Sequence, residues 1–161
     1  MSSVITTESM FYGSVFNKPI DMWDMSNVKD MSYMFYGFSD NTIDVSSFNT
    51  SNVTDMGSIF SNAKNIEYLN LDSWNTSKVT NMKSAFYGMK NLKTIDFKNL
   101  DLSNASNLMG MFYNSRLLTN IYVKEMPTYK AGANKTYMWN GAGTNTFTVW
   151  DYDTNGSPLN Q

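Results

Sequence analysis

The side chains best suited to chemistry in this sequence are oxygen-bearing residues close to its end. Asp151, Asp153 and Asn155, followed by Gly156, match the opening of an EF-hand calcium loop, in which alternate residues supply oxygen ligands. The bidentate Glu of such a loop would fall at position 162, after the last residue given. The same residues also suit an ordinary polar turn. We therefore expect weak calcium binding at most from these three side chains.

A catalytic centre is harder to assemble from this chain. The sequence contains no His and no Cys, which removes the commonest general base, thiolate nucleophiles and the usual zinc ligands. Asp44 and Asp96 form the best carboxylate pair. They lie two repeats apart, however, roughly 10 Å, which slightly exceeds the spacing in inverting glycosidases. We predict that the chain is not an enzyme and uses no cofactor.

Length, charge and hydropathy exclude two further classes of function. The 161 residues suit one domain with a sizeable core. A net charge of −2 argues against binding to a nucleic-acid backbone, which needs clustered basic residues. No stretch approaches the length of apolar sequence that a membrane helix needs, so we expect no membrane insertion.

Two short sequence words recur in phase, and they indicate how the chain positions its side chains. The first is Met-Phe-Tyr-Gly or a close variant, whose aromatic residue stands at positions 11, 35, 60, 86, 112 and 139. The second resembles Trp-Asn-Thr-Ser-Asn-Val-Thr-Asp-Met and begins at Trp23, Phe48, Trp74 and, more weakly, Leu100. A unit this short cannot bury its own apolar face, but stacked copies can. The sequence therefore predicts a repeat protein.

Between these words lies a short segment that alternates apolar and polar residues, as in Leu69-Asn70-Leu71 and Ile95-Asp96-Phe97, which predicts a one-sided strand. The Met-x-x-Met-Phe spacing predicts a short helical turn, and we expect a polar residue to cap its first amides. Those expected caps are Asp30, Asp55, Asn81 and Asn107. The predicted fold is an α/β repeat solenoid of five to six rungs, each a short parallel strand plus a short helical turn. Its expected inward columns are Ile20/Val45/Leu71/Phe97/Val123, Trp23/Phe48/Trp74/Leu100/Met126, Val28/Val53/Val79/Ala105 and Phe11/Phe35/Phe60/Phe86/Phe112.

The residues that carry this periodicity also carry a family resemblance. Over about residues 10–126, the Trp-Asn-Thr-Ser-Asn-Val-Thr-Asn-Met-x-x-Met-Phe-Tyr-Gly pattern resembles the BspA-like leucine-rich-repeat family of bacterial surface proteins. It is most similar to the Asn- and Met-rich branch found in Firmicutes and mycoplasma surface lipoproteins. The resemblance implies a leucine-rich-repeat fold, a secreted or surface-anchored location and a role in adhesion. It implies no catalytic residues, because the family shares none.

Function in a protein of this kind is expected on the polar face of its strand ladder, because every rung offers outward side chains at fixed spacing. We expect that face to bind a protein or glycan on a host or neighbouring cell. The candidate ligand-binding residues are Asp44, Asn70, Asp96, Tyr122, Tyr68, Asp72, Lys98 and Lys124.

The expected division of the chain has three parts. Residues 1–15 form an N-terminal cap and first partial repeat, residues 16–126 the leucine-rich-repeat solenoid, and residues 127–161 a degenerate capping repeat and tail. No signal peptide is visible at the start of the sequence, which leaves a virion or cytoplasmic location open beside the cell surface. The alternative function is therefore a leaderless structural or assembly component, such as a phage virion or receptor-binding protein, with self-association through the solenoid ends.

Overall fold

The chain forms a stack of six rungs that repeat the same backbone path. In the computed structural model, which describes residues 3–149, parallel bridges link one residue of each rung to its equivalent in the next. The bridged residues are Thr6, Asp30, Asp55, Asn81, Asn107 and Asn134. We number the rungs 1 to 6 from these residues. The structure thus confirms a repeat architecture built by parallel pairing of neighbouring units.

One side of the stack is a four-stranded parallel sheet in the order β1-β2-β3-β4. The strands are β1 (Tyr68–Asn70), β2 (Thr94–Asp96), β3 (Asn120–Val123) and β4 (Thr148–Val149), which belong to rungs 3 to 6. The matching segments of rungs 1 and 2 do not form strands. In rung 1 this follows from Pro19, which has no amide to donate to a ladder. The ladder is therefore shorter than the five to six strands expected from the sequence.

The expected helical turns are not formed, because the described residues contain no helix. Their place is taken by six turn segments, residues 7–14, 31–38, 56–63, 82–89, 108–115 and 135–142. In residues 31–38, three overlapping hydrogen bonds join an amide to the carbonyl three residues earlier: Met34 to Met31, Tyr36 to Tyr33, and Phe38 to Phe35. Tyr33 and Gly37 have φ values of 56° and 65°, which interrupt any right-handed helix. The α component of the predicted fold class is therefore corrected to a run of tight turns.

Alternate amides of the turn segments bond to the next rung, and these bonds all point the same way. From rung 1, the amides of Thr7, Ser9, Phe11 and Gly13 donate to carbonyls of rung 2 at 2.7 to 3.0 Å. The same four-bond set recurs at each of the four later interfaces between rungs, within the same range of distances. Every bond runs from an amide to a carbonyl of the C-terminal neighbour. We call this array the turn ladder.

The core consists of side-chain columns that run along the stack. The Phe column is buried from Phe11 to Phe112, with stacked rings 5.2 to 6.1 Å apart between neighbouring rungs. The residues predicted for the Val28 and Ile20 columns are all buried, as expected. The column that contains Trp74 is buried only in the middle, since Trp23 is 37% exposed and Met126 is 54% exposed. The predicted register is therefore confirmed except at these two positions.

Asn, Asp, Ser and Thr side chains bind the backbone within and between rungs, which accounts for their abundance. The expected caps accept the amide two residues later: Asp30 from Ser32 at 2.8 Å and Asn81 from Lys83 at 3.1 Å are examples. Other amide side chains reach the preceding rung, as Asn104 does to the carbonyl of Ser77 at 2.7 Å. These bonds satisfy backbone groups in segments that have no regular secondary structure.

Candidate functional site

The strand face is built by the register of the sheet. Asn70, Asp96, Tyr122 and Thr148 pair in one row, and the neighbouring row is Tyr68, Thr94 and Asn120. The apolar residues between these rows, such as Ile95 and Ile121, are fully buried. Because successive strand residues point to opposite sides, the polar rows face away from the core. The structure therefore brings together most of the sequence-predicted site residues on one surface.

At the middle of this face, two carboxyl groups of neighbouring rungs lie close together. The Asp72 side chain hydrogen-bonds to Asp96, whose side chain is only 8% exposed although the sequence pattern places it outward. Burial raises the pKa of Asp72 to about 6, and the hydrogen bond to Asp96 and the negative charge of Asp96 add to this effect. The Lys98 amide and ammonium group oppose the shift. Asp72 therefore holds its proton to a higher pH than an ordinary carboxyl does, and it releases that proton as the pH rises through about 6.

Tyr68 and Lys98 complete this cluster. Burial, together with the negative charges of Asp96 and Asp72, raises the pKa of the Tyr68 hydroxyl, which places all three side chains in one electrostatic environment. Tyr68 nevertheless remains 53% exposed, so its ring is accessible from solvent. The Lys98 amide lies 3.4 Å from Asp72 Oδ1. We call Tyr68, Asp72, Asp96 and Lys98 the acid–tyrosine cluster.

Beside the cluster lies an open groove of about 450 Å³ that the sequence analysis did not predict. Its walls include Lys98, Lys124, Asp101 and Glu125, with Met126 as an apolar contact. It is formed by the loops that follow β2 and β3, where the second sequence word is weak and then lost. That loss of the repeat, together with Pro127 in the wall, is the only sequence signal of the groove. The groove contains two of the predicted site residues, Lys98 and Lys124.

The predicted residue Asp44 lies apart from this cluster, in rung 2, where no strand forms. Its carboxylate accepts hydrogen bonds from the Ser46 amide at 2.9 Å and from the Ser46 hydroxyl at 2.7 Å. These bonds lower the pKa of Asp44. Asn70 makes a similar bond, since its Oδ1 accepts a hydrogen bond from the Asp72 amide at 3.1 Å. Both side chains therefore hold local turns as well as facing the surface.

The tyrosines of the first sequence word form a second surface on the turn side. Tyr12 stacks on Tyr36 with ring centroids 4.7 Å apart, and Tyr87 stacks on Tyr113 at 5.2 Å. The row is interrupted in rung 3, where Ser61 takes the place of a tyrosine and is buried. Because each ring packs on that of the next rung, these tyrosines stabilise the stack rather than projecting freely.

The described residues hold neither a cluster of metal ligands nor a helix able to cross a membrane. Asp151, Asp153 and Asn155, the expected calcium ligands, lie outside them. Within residues 3–149, no group of three or more acidic, His or Cys side chains is arranged to hold a metal ion. In the same part of the chain, no helix has the length and hydropathy needed to cross a membrane.

Comparison with known proteins gives one family match. A family model described as "Mycoplasma protein of unknown function, DUF285" matches residues 1–68 and, in a second overlapping match, residues 37–150. No curated protein and no solved structure matches the chain. The two overlapping matches agree with a repeated sequence, since the same family pattern fits two offset parts of the chain.

Proposed function

The chain belongs to the DUF285 family, the mycoplasma and BspA-like repeat family, and on this premise we propose that it is a non-enzymatic binding module of a bacterial surface protein. In this proposal, the chain is a leucine-rich-repeat-like solenoid, and its strand face binds a protein or glycan on another cell. The observation that carries the proposal is the acid–tyrosine cluster in the middle of that face, next to the groove between Lys98 and Lys124.

The chemistry of the cluster suits a polar ligand. The carboxyl oxygens of Asp72 and Asp96 can accept hydrogen bonds from hydroxyl or amide groups, and below a pH of about 6 the protonated Asp72 can also donate one. The half-exposed ring of Tyr68 offers an apolar surface with a polar tip, a combination that recurs in recognition sites. Lys98 and Lys124 add positive charge on the side of the groove. Hydroxyl-rich glycans and extended peptide segments present matching groups.

The backbone beneath the cluster supports the proposal because it is rigid and periodic. Asp96 stands on β2, between β1 and β3, and its apolar neighbours Ile95 and Phe97 are fully buried. Parallel strands repeat at about 4.8 Å, so ligand groups at regular spacing can contact successive rungs. A binding site fixed in this way loses little conformational entropy when a ligand binds.

The surface location and the adhesive role rest on the family resemblance. Nothing in the site calls for a catalytic step: the carboxyl pair is hydrogen-bonded together and lies on an open face rather than in a cleft. An open face excludes little water, and it therefore offers little of the electrostatic preorganisation on which enzymes depend. The arrangement fits recognition better than catalysis.

A direct test is to screen the full chain on arrays of glycans and host extracellular-matrix proteins, then to measure affinity for any hit by calorimetry. Tyr68→Ala and Lys124→Ala should each weaken binding, whereas Tyr137→Ala, an exposed tyrosine on the turn side, should not. Loss of binding in the Tyr137 variant alone would place the site on the other side. Turnover of an arrayed glycan would contradict a non-enzymatic role.

A further inference from the structure

The turn ladder leaves complementary backbone groups at the two ends of the described stack. At its C-terminal end, the amides of Lys135, Tyr137, Trp139 and Gly141 occupy the positions that donate to a following rung in every earlier repeat. Among residues 3–149, no acceptor lies within hydrogen-bonding distance of these four amides. The C-terminal end therefore presents four aligned donors.

The N-terminal end presents the matching acceptors. The carbonyls of Thr6, Glu8, Met10 and Tyr12 are equivalent to those that accept from a preceding rung in rungs 2 to 6. In the part of the chain that the structure describes, no donor reaches them. Both ends adopt the same backbone conformation as the interior rungs, with left-handed residues at Ser9 and Gly13 in the first rung. The turn segment at the C-terminal end therefore offers only donors, and the turn segment at the N-terminal end offers only acceptors. The edge of an ordinary sheet offers both.

We propose that the C-terminal end of one copy of this chain docks on the N-terminal end of a second copy, head to tail, as a seventh rung would. The amides of Lys135, Tyr137, Trp139 and Gly141 then donate to the partner carbonyls of Thr6, Glu8, Met10 and Tyr12 in the order given. These four bonds reproduce an interface that occurs five times within the chain. Two copies of the donor end cannot pair through the turn ladder, so the contact is heterologous and continues to further copies.

Exposed apolar side chains at the ends support this docking. Ile5, Met10, Tyr12 and Val15 are 62%, 47%, 57% and 73% exposed, and all lie in rung 1 or directly before it. At the other end, Tyr137 is 62% exposed. Large apolar side chains left exposed at the end of a stack are surface that a further rung can cover. The donor and acceptor pattern identifies a second copy of the chain as the partner, because it requires the same turn-segment backbone.

The proposed register also predicts which side chains face each other. Thr136 of one copy lies opposite Glu8 of the next, since the two residues are equivalent in rungs 6 and 1. Both are exposed, so either can be changed without disturbing the core. A like charge at position 136 should oppose docking, and a reversed charge at position 8 should then restore it.

The experiment is sedimentation equilibrium of the full chain over a wide range of concentrations. We expect the weight-average mass to rise beyond that of a dimer without reaching a plateau. Thr136→Glu should raise the dissociation constant about twofold to fivefold, and the double variant Glu8→Lys/Thr136→Glu should reverse that loss. Far-ultraviolet circular dichroism and thermal melting would confirm that both variants fold as the unmodified chain does.

Three results would overturn the proposal: a monomer at every concentration, a plateau at the dimer mass, or equal association by the single and double variants. A monomer would show that another segment covers the ends. A plateau at the dimer mass would show an isologous contact that does not use the turn ladder. Ligand binding by the strand face is measured separately with Tyr68→Ala, which should leave the sedimentation result unchanged.

Discussion

The Thr76 hydroxyl and the backbone of Asp101 form a reciprocal pair of hydrogen bonds between rungs 3 and 4. Thr76 Oγ1 donates to the Asp101 carbonyl at 2.8 Å and accepts from the Asp101 amide at 2.8 Å. The side chain is fully buried. Thr50 makes the same contacts with Asn75 one rung earlier, at 3.1 and 2.8 Å. A threonine at this position therefore satisfies two backbone groups that the strand ladder does not reach.

Thr76→Val should lower the free energy of unfolding by about 1–3 kcal/mol, because it removes the hydrogen-bond partner of the part-buried Asp101 amide and carbonyl. The shape of the side chain is preserved, so the loss reports the two hydrogen bonds. Thr80→Val is the control, since that hydroxyl is exposed and makes one bond, 3.2 Å to the Thr54 carbonyl. Urea denaturation measures both variants, and equal losses would contradict this account of Thr76.

Trp74→Ala should cost about 3–5 kcal/mol, because it opens a cavity in the middle of a buried column. The ring is fully buried, its centroid lies 6.1 Å from that of Phe60, and its Nε1 donates to the Val45 carbonyl at 2.9 Å. Trp23→Ala removes the equivalent residue of rung 1, which is 37% exposed, and should cost clearly less. A denaturant titration in which both variants lose the same stability would show that the register of the core is wrong.

The carboxyl pair predicts a pH dependence of stability. The pKa of Asp72 is about 6 in the folded chain, whereas an ordinary Asp carboxyl has a pKa of 3.8. The folded state therefore holds this proton more tightly than the unfolded state does. The stabilisation is fully present below pH 3.8 and is lost as the pH rises through about 6. Asp72→Asn cannot ionise, so it should remove this decline in the urea midpoint.

Asp44→Asn is the control for Asp72→Asn, because the pKa of Asp44 is shifted in the opposite direction. Hydrogen bonds from Ser46 lower the pKa of Asp44 in the folded chain, so its contribution is present above the unfolded pKa and lost as the pH falls. The variant should therefore flatten the acid limb of the stability profile and leave the decline toward pH 6 intact. Identical profiles for the Asp72 and Asp44 variants would contradict the assignment of the carboxyl pair.

Gly88→Ala should destabilise the chain more than Gly13→Ala does. Both glycines have left-handed φ values, 65° and 64°, so each substitution carries a backbone cost of about 1–2 kcal/mol. A Cβ at Gly88 would also lie 2.7 Å from Asn62 Oδ1, whereas one at Gly13 meets nothing within 4 Å. The difference between the thermal midpoints of the two variants measures the cost of the clash with Asn62. In chains that also carry Asn62→Ala, the two midpoints should be equal.

Sequence periodicity was sufficient to predict the core columns but not the local backbone of the turn segments. The Phe and Val columns follow from the two sequence words, because one residue per repeat must fill the same place in each rung. The Met-x-x-Met-Phe spacing also fits a helix, yet the amides of alternate residues bond to the next rung instead. Gly37, Gly88 and Gly141 were the available signal, since a glycine six residues after the start of the turn segment suits a positive φ. Tyr33 and Tyr137 adopt positive φ without any such signal.

The candidate site was predictable as a surface but not as a cluster. Strand alternation places Asn70, Asp96 and Tyr122 in one row, and the register confirms that alignment. The alternation of strand residues gives no information about burial depth, so it did not predict that Asp96 is buried and interacts with Asp72. The groove beside Lys124 depends on the path of loops where the repeat is lost, which no periodic pattern describes.

The one-way hydrogen bonding of the turn ladder gives the turn side of the stack an electrical polarity. Peptide dipoles that align along an axis add together, and here twenty amide-to-carbonyl bonds point toward the C-terminal rung. In an α-helix the free amides, and hence the positive pole, lie at the N-terminus. On the turn side of the described stack they lie at the C-terminal end, so the field of the turn ladder has the opposite sense relative to chain direction. Backbone bonds elsewhere in the rungs, such as that from the Thr54 amide to the Lys29 carbonyl, run the other way and confine this field to the turn side. Anions should accumulate around Lys135 to Gly141, and dissolved salt should weaken that attraction.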